Sequence, residues 1–209
     1  MLIQKQNWWV PEIDKVCLNA VLNQSQFIDR NLLPLIENKK KCIQAGGNIG
    51  IWPKKFSEVF DYVYTFEPDK ENYEALCKNL ENISNIEKFN KGLSMKSGKA
   101  SVIKHNPENI GAHYLSQPSD NGDIELISID SLNLNDVGLI QLDIEGGEHD
   151  AILGAMQTIK RCSPVLCLEI KGFGKRFGKN DLDTFNLIFD GLGYQAVKIM
   201  NRDWIFTKK

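Results

Sequence analysis

The stretch Lys41-Cys-Ile-Gln-Ala-Gly-Gly-Asn-Ile-Gly50 constrains this chain more than any other. It reads as a short buried strand running into a glycine turn, with a helix opening near Trp52-Pro53. Gly46, Gly47 and Gly50 let the backbone approach a ligand closely. Proline suits a first helical turn because its missing N–H would be unpaired there anyway. Tyr62-Val-Tyr-Thr-Phe66 reads as a second strand that delivers the Glu67 carboxylate at its carboxyl end, just before Pro68. A glycine turn followed roughly twenty residues later by an acid is how α/β proteins hold a nucleoside, the acid accepting hydrogen bonds from ribose hydroxyls. The pattern predicts an adenosine-containing cofactor.

Composition narrows the partners. The chain has 209 residues, enough for one well-buried core, and a net charge of -2 that argues against a general polyanion-binding surface, so nucleic acid is not the expected partner. No apolar run approaches a membrane span, and the first residues lack the apolar core of a signal peptide. Cys17, Cys42, Cys77, Cys162 and Cys167 are scattered without metal-like spacing. They read as reduced thiols, mostly in the core, of a cytoplasmic protein.

Residues 1–40 are expected to form a helical segment, mainly over 12–38, that packs on or covers the active site of a domain spanning 41–209. From Lys41 onward strands and helices alternate, which implies a parallel sheet covered on both faces. Strands are expected near 41–45, 62–66, 86–93, 138–144 and 164–170, and helices over 70–82, 148–161 and 181–192. A hairpin-like excursion carries strands at 100–103 and 124–129. Tyr194–Ile199 and Asp203–Thr207, joined through Asn201-Arg202, read as a closing antiparallel hairpin. Parallel strands ending in such a hairpin predict an α/β fold with a Rossmann-like seven-stranded sheet of the class I methyltransferase type.

Several segments recur in one order: Gln44-Ala-Gly-Gly-Asn-Ile-Gly50, Phe66-Glu-Pro68, Asn90-Lys-Gly-Leu93, Ser128-Ile-Asp-Ser-Leu132, Leu139-Ile-Gln-Leu-Asp-Ile-Glu-Gly-Gly-Glu148, Leu153-Gly-Ala155 and Pro164-Val-Leu-Cys-Leu-Glu169. Together they resemble the FkbM family of S-adenosylmethionine-dependent methyltransferases over roughly 41–170. The resemblance implies methyl transfer, usually to oxygen, often on a sugar or a natural-product scaffold. The chain departs from the family pattern twice, with Gln44 where the family usually has aspartate and Gln141 where it usually has lysine. Gln44 is expected at the cofactor's ammonium without supplying charge, which weakens that contact.

The candidate residues follow. Gln44, Gly46, Gly47, Asn48 and Gly50 are expected to line the cofactor turn, Glu67 to hold the ribose, and Pro68 and Gly92 to flank the adenine. Asp143 and Glu145 alternate at the end of a central strand, so both carboxylates can project to one side, toward the cofactor's methionine part and the acceptor. A hydroxyl acceptor must lose a proton, so Asp143, Glu145 and His113 are candidate bases. Asp143 and Glu169, at the ends of neighbouring strands, suit a magnesium pair of the catechol O-methyltransferase kind, or else simply hydrogen-bond their surroundings. Glu148 opens a helix, where an acid complements the dipole. The glycine-rich, basic loop Lys171–Lys179 is a candidate for holding a small-molecule or glycan acceptor. Two other readings stand beside this one: an NAD-type oxidoreductase, and a catalytically silent nucleoside-binding protein.

Overall fold

The computed structural model describes residues 1–200 and 202–209, with the side chains of 23–27, 29 and 200 left aside. Its centre is a seven-stranded sheet. The strands are β3 (Lys41–Ala45), β4 (Tyr62–Phe66), β5 (Ile86–Phe89), β11 (Val137–Leu142), β12 (Val165–Glu169), β13 (Tyr194–Met200) and β14 (Asp203–Lys208), in the spatial order β13-β14-β12-β11-β3-β4-β5. The pairs β3–β4, β4–β5, β11–β3 and β11–β12 are parallel, and β14 runs antiparallel to both β12 and β13. This is the sheet that the sequence pattern predicts. Asn201, expected in the turn of the closing hairpin, lies outside the described residues.

Strand β11 is buried along its whole length and β3 over its last four residues, as befits central strands covered on both faces. From β3 the chain winds outward through β4 and β5, then returns to β11 on the other side of β3. That reversal between β3 and β11 opens the crevice where such sheets bind ligands, at the carboxyl ends of the strands.

One face of the sheet packs Ile43, Ala45, Ile140 and Leu166 against Ile152 and Ile159, from helices α4 (Glu148–Leu153) and α5 (Met156–Cys162). The other packs Cys42, Val63 and Leu139 against Trp52 and Phe56 of α2 (Ile51–Ser57) and Leu76 of α3 (Lys70–Asn79). Ile28, Leu32 and Ile36 of the N-terminal segment join this second face.

The N-terminus differs from expectation. Its first elements are strands, β1 (Leu2–Lys5) and β2 (Trp8–Pro11), paired antiparallel. Gln6 and Asn7 between them both hold positive φ, 50° and 66°, the mirror-image turn that two-residue hairpins favour. Helix α1 (Cys17–Phe27) follows, its first amides at Cys17 and Leu18 accepted by the buried Asp14 carboxylate, each at 3.0 Å.

Two long elements are interrupted. The strand expected over 86–93 ends at Phe89 and resumes as β6 (Gly92–Leu93). The helix expected over 148–161 divides at Gly154, where a Cβ would lie 2.2 Å from the Ser94 carbonyl oxygen. In the excursion, β7 (Gly98–Ala100) pairs with β10 (Ile124–Ile127), which also runs parallel to β6. The strand β8 (Val102–Ile103) pairs instead with β9 (Tyr114–Leu115). Near the C-terminus, α6 (Asp181–Asn186) passes into a wider π-type turn over Leu187–Gly191.

Candidate active site

Beyond β3 the chain turns sharply at Gly46, which holds φ +80°, and a Cβ there would lie 1.9 Å from the Asp143 carbonyl oxygen. Only glycine fits that approach. The Gly46 and Gly47 amides both donate to the Phe66 carbonyl, at 3.1 and 2.9 Å, fixing the turn against the end of β4.

Glu67 completes this arrangement. Its Oε2 accepts the Asn48 amide at 2.7 Å and its Oε1 accepts the Asp69 amide at 2.8 Å. The carboxylate therefore joins the glycine turn to the start of α3, and it is buried rather than solvated. Burial pushes its carboxyl up to about 7, against the two backbone hydrogen bonds that favour the ionised form.

Asp69 caps α3 by accepting the Glu71 and Asn72 amides, and it also receives His113 Nδ1 and Lys104 Nζ, each at 3.0 Å. Burial works to raise its carboxyl, but the hydrogen bonds from His113, Lys104 and Asn72 win and hold it well below the usual range. Asn72 donates its amide to the Ile110 carbonyl at 3.1 Å. That leaves Asn72 Oδ1 and His113 Nε2 buried and without a hydrogen-bond partner.

A cleft of about 1090 Å³, counted with its open mouth, runs along this edge of the sheet. Its wall takes in Gly46, Gly47, Asn48, Glu67, Pro68 and Gly92, and also Asp143, Glu145 and His113. Cys17 and Val21 of α1 form part of the wall. Gly50 is not on the wall; its φ of +97° instead shapes the entry into α2, with Leu80 packed beneath it.

Gln44 is placed elsewhere. It does not line the cleft; its Oε1 accepts the Thr65 hydroxyl at 2.5 Å inside the sheet's covered face. The reason is strand alternation: Gln44 shares its side of β3 with Cys42, which packs among Phe56 and Val63. The expected contact with a cofactor ammonium is therefore not made by this residue.

The carboxylates of Asp143, Glu145 and Glu169 do converge, with oxygens all within 4.8 Å of one another. Glu145 holds φ 57°, in the left-handed region, which turns its side chain back toward β12. Lys171 Nζ lies 2.8 Å from Glu145 Oε1 and closer still to Glu169 Oε2. Burial raises the Asp143 carboxyl well above its ordinary value, and the neighbouring Glu169 adds to it. Burial also raises Glu145, with Lys171 opposing. The Lys171 ammonium loses solvation, yet Asp143 and Glu169 more than restore its charge and raise it further.

Glu148 accepts the Ile144 amide at 3.0 Å and the Gly146 amide at 3.4 Å. Burial pushes it up to about 7. It fixes the loop carrying Glu145, a positioning task consistent with its place at the start of α4.

The basic loop contributes differently than its composition suggests. The Arg176 guanidinium lies between the rings of Tyr114, at 4.0 Å, and Phe173, at 3.9 Å. It also donates to the Glu145 carbonyl at 2.9 Å. Phe177 reaches the cleft wall. Arg176 is thus a clamp on the Glu145 loop rather than a free cation for an acceptor. Asn72 and Asp69 carry much of the geometry and were not singled out from sequence, and Lys171, expected in the acceptor-holding loop, pairs with the acids instead. The available signals were the Asp-x-x-Asn spacing after Glu67-Pro68 and the alternation of Glu169 with Lys171.

The family model for the methyltransferase FkbM domain matches residues 44–196. The chain belongs to the FkbM methyltransferase family. No curated protein matches its sequence. A crystal structure of an FkbM methyltransferase from Methylobacillus flagellatus KT superposes with a TM-score of 0.58 at 20% identity, over 90% of this chain and 52% of that one. The chain thus spans about half of that relative's length. TYW2 of M. jannaschii, in complex with AdoMet, matches at TM-score 0.51 and 10% identity, over 100% of this chain and 86% of its own. The fibrillarin/Nop5p complex matches at 0.52 and 12%, over 88% and 79%. At these identities the superpositions speak for the fold, that of class I methyltransferases. The family membership displaces the oxidoreductase reading. Among the described residues, no helix is long and apolar enough to cross a membrane.

Proposed function

We propose that this chain binds S-adenosylmethionine and transfers its methyl group to a hydroxyl oxygen of a small, polar acceptor of the sugar or natural-product type, in the cytoplasm. The observation that carries the reading is the shared cleft: Glu67 and the glycine turn stand on the same wall as Asp143 and Glu145. Glu67 accepts hydrogen bonds from the ribose hydroxyls, and the turn around Gly46 and Gly47 lets the backbone lie against the cofactor. Asn72 Oδ1 and His113 Nε2 are buried without partners on residues of the same cleft wall, which suits the polar groups of a nucleoside. This moves His113 from candidate base to the cofactor's side of the cleft.

Asp143 and Glu145 are left to meet the reacting end. Bound S-adenosylmethionine would supply an electrophilic methyl group to the acceptor oxygen, with the C–S bond pair staying on sulfur. Glu145 takes the hydroxyl proton, leaving a methyl ether and S-adenosylhomocysteine. Holding the two partners in line supplies a large share of the acceleration.

Calorimetry with S-adenosylhomocysteine and with NAD tests the cofactor, and label transfer from methyl-labelled S-adenosylmethionine to a panel of glycosides and polyols tests the acceptor. Tight nucleoside binding with no transfer to any acceptor would favour the silent binding protein.

A further inference from the structure

We propose that the Lys171 ammonium is the built-in counter-charge of the Asp143–Glu145–Glu169 cluster, filling the place that a divalent cation would need, so that this site works without a metal ion. The inference rests on the methyltransferase reading above only for the word "works"; the closure of the cluster is a property of the chain itself.

Three converging carboxylates are the donor set that a hard cation would choose. Here, however, the cation is already supplied by the chain. Glu169 is the last residue of β12 and Lys171 follows two positions later, so strand alternation returns both to the same side. The ammonium sits on Glu145 Oε1 and Glu169 Oε2, with only 11% of the Lys171 side chain exposed. Phe173 closes over it, its ring centroid 5.1 Å from Nζ. Arg176 brings a second positive charge, 3.5 Å from Glu145 Oε2. Asp203 stands opposite Glu169 in the β12–β14 register and adds a fourth acid beside it.

Magnesium requires near-ideal octahedral oxygen coordination at about 2.0–2.1 Å. To reach these oxygens it would have to displace Lys171 and sit beside Arg176. A compact ammonium with three donors instead bridges two carboxylates with no such demand. Neither Glu169 nor Lys171 lines the cleft, whereas Asp143 and Glu145 do. Lys171 is therefore a positioning residue, fixing from behind the two acids that face the ligands.

The test is a cation titration, read by Mn²⁺ electron paramagnetic resonance and by Mg²⁺ calorimetry. The proteins are the wild type, Lys171→Met (which keeps an apolar stem) and Lys171→Arg. S-adenosylhomocysteine binding in the same samples reports separately on the cofactor reading. The wild type and Lys171→Arg should show no stoichiometric Mn²⁺ site at millimolar metal. Lys171→Met should gain one, at least tenfold tighter than any wild-type binding and abolished by adding Glu169→Gln. If Lys171→Met fails to fold while Lys171→Arg folds, the need for a positive charge within the cluster is upheld. Stoichiometric Mn²⁺ binding by the wild type that is lost in Glu169→Gln overturns the proposal, as does a folded Lys171→Met that gains no site.

Discussion

Gln44 and Gln141 stand opposite each other in register on the adjacent parallel strands β3 and β11, and the Gln44 Nε2 and Gln141 Oε1 are both buried without a hydrogen-bond partner. These are the two positions at which the sequence departs from the FkbM pattern, where aspartate and lysine are usual. The two departures from the expected acid and base therefore lie side by side, as two neutral amides.

The pairing reverses what the sequence alone suggests for Gln44→Asp. Instead of tightening cofactor binding, the substitution places an uncompensated carboxylate inside the sheet, and we expect a loss of about 3 kcal/mol, the scale of a broken buried ion pair. Adding Gln141→Lys should recover most of that loss. Urea denaturation of the two single variants and the double variant forms a complete cycle. Additive effects would mean that the two side chains do not interact.

Glu67 predicts a pH dependence with a definite sign. Its carboxyl lies at about 7 in the folded protein, above the ordinary value of 4.5. The stability linked to it is fully present below about 4.5 and lost as pH rises through about 7. Ribose hydroxyls prefer the ionised acceptor, so affinity for 5′-methylthioadenosine should increase between pH 6 and pH 8. Calorimetry should show that increase in the wild type and not in Glu67→Gln. Glu67→Ala should weaken binding by about 1–3 kcal/mol, the scale for leaving buried polar groups unpaired. A flat wild-type profile would remove Glu67 from the ribose.

The acid pair separates by environment. Burial raises the Asp143 carboxyl well above its ordinary value and the neighbouring Glu169 adds to it, so of the two acids it leans toward the protonated form. Glu145 has Lys171 and Arg176 against it, which oppose its burial and keep it the better proton acceptor. Glu145→Gln should lower kcat by about a hundredfold, within the range for losing a general base. Asp143→Asn, which resembles the protonated acid, should cost far less. Equal losses in single-turnover assays would contradict this division.

The parts of the fold legible from sequence were those with a period. The β3 and β11 runs, the glycine turn and the closing hairpin follow from alternation and turn residues alone. The N-terminal hairpin was missed because β1 and β2 are four residues each and Gln6-Asn7 lacks the glycine that usually marks such turns. Gln44 lies on the Cys42 side of β3, and because both faces of that strand are covered its place was not legible from alternation alone. The role of Arg176 could not be read, because it depends on partners brought near by folding, Glu145 and Tyr114, whereas for Lys171 the spacing from Glu169 was the one signal in the sequence.

That guanidinium carries the last prediction. Arg176 is held between Tyr114 and Phe173, and its partners tie the 173–177 turn to both β9 and the Glu145 loop. The Arg176 carbonyl also accepts Gln117 Nε2 at 2.6 Å, a second tie between the same two segments. Arg176→Ala removes the stacked plane and the hydrogen bond to Glu145, so Phe177 loses its fixed place in the cleft wall. The expected result is a roughly tenfold higher KM for the acceptor, about 1.4 kcal/mol, with affinity for 5′-methylthioadenosine unchanged. Arg176→Lys should rescue little, since an ammonium neither stacks as a plane nor forks toward two acceptors. Lys175→Ala, at an exposed neighbour, should leave both parameters alone. If Lys175→Ala raised KM and Arg176→Ala did not, the loop would hold the acceptor by charge instead of forming the wall around it.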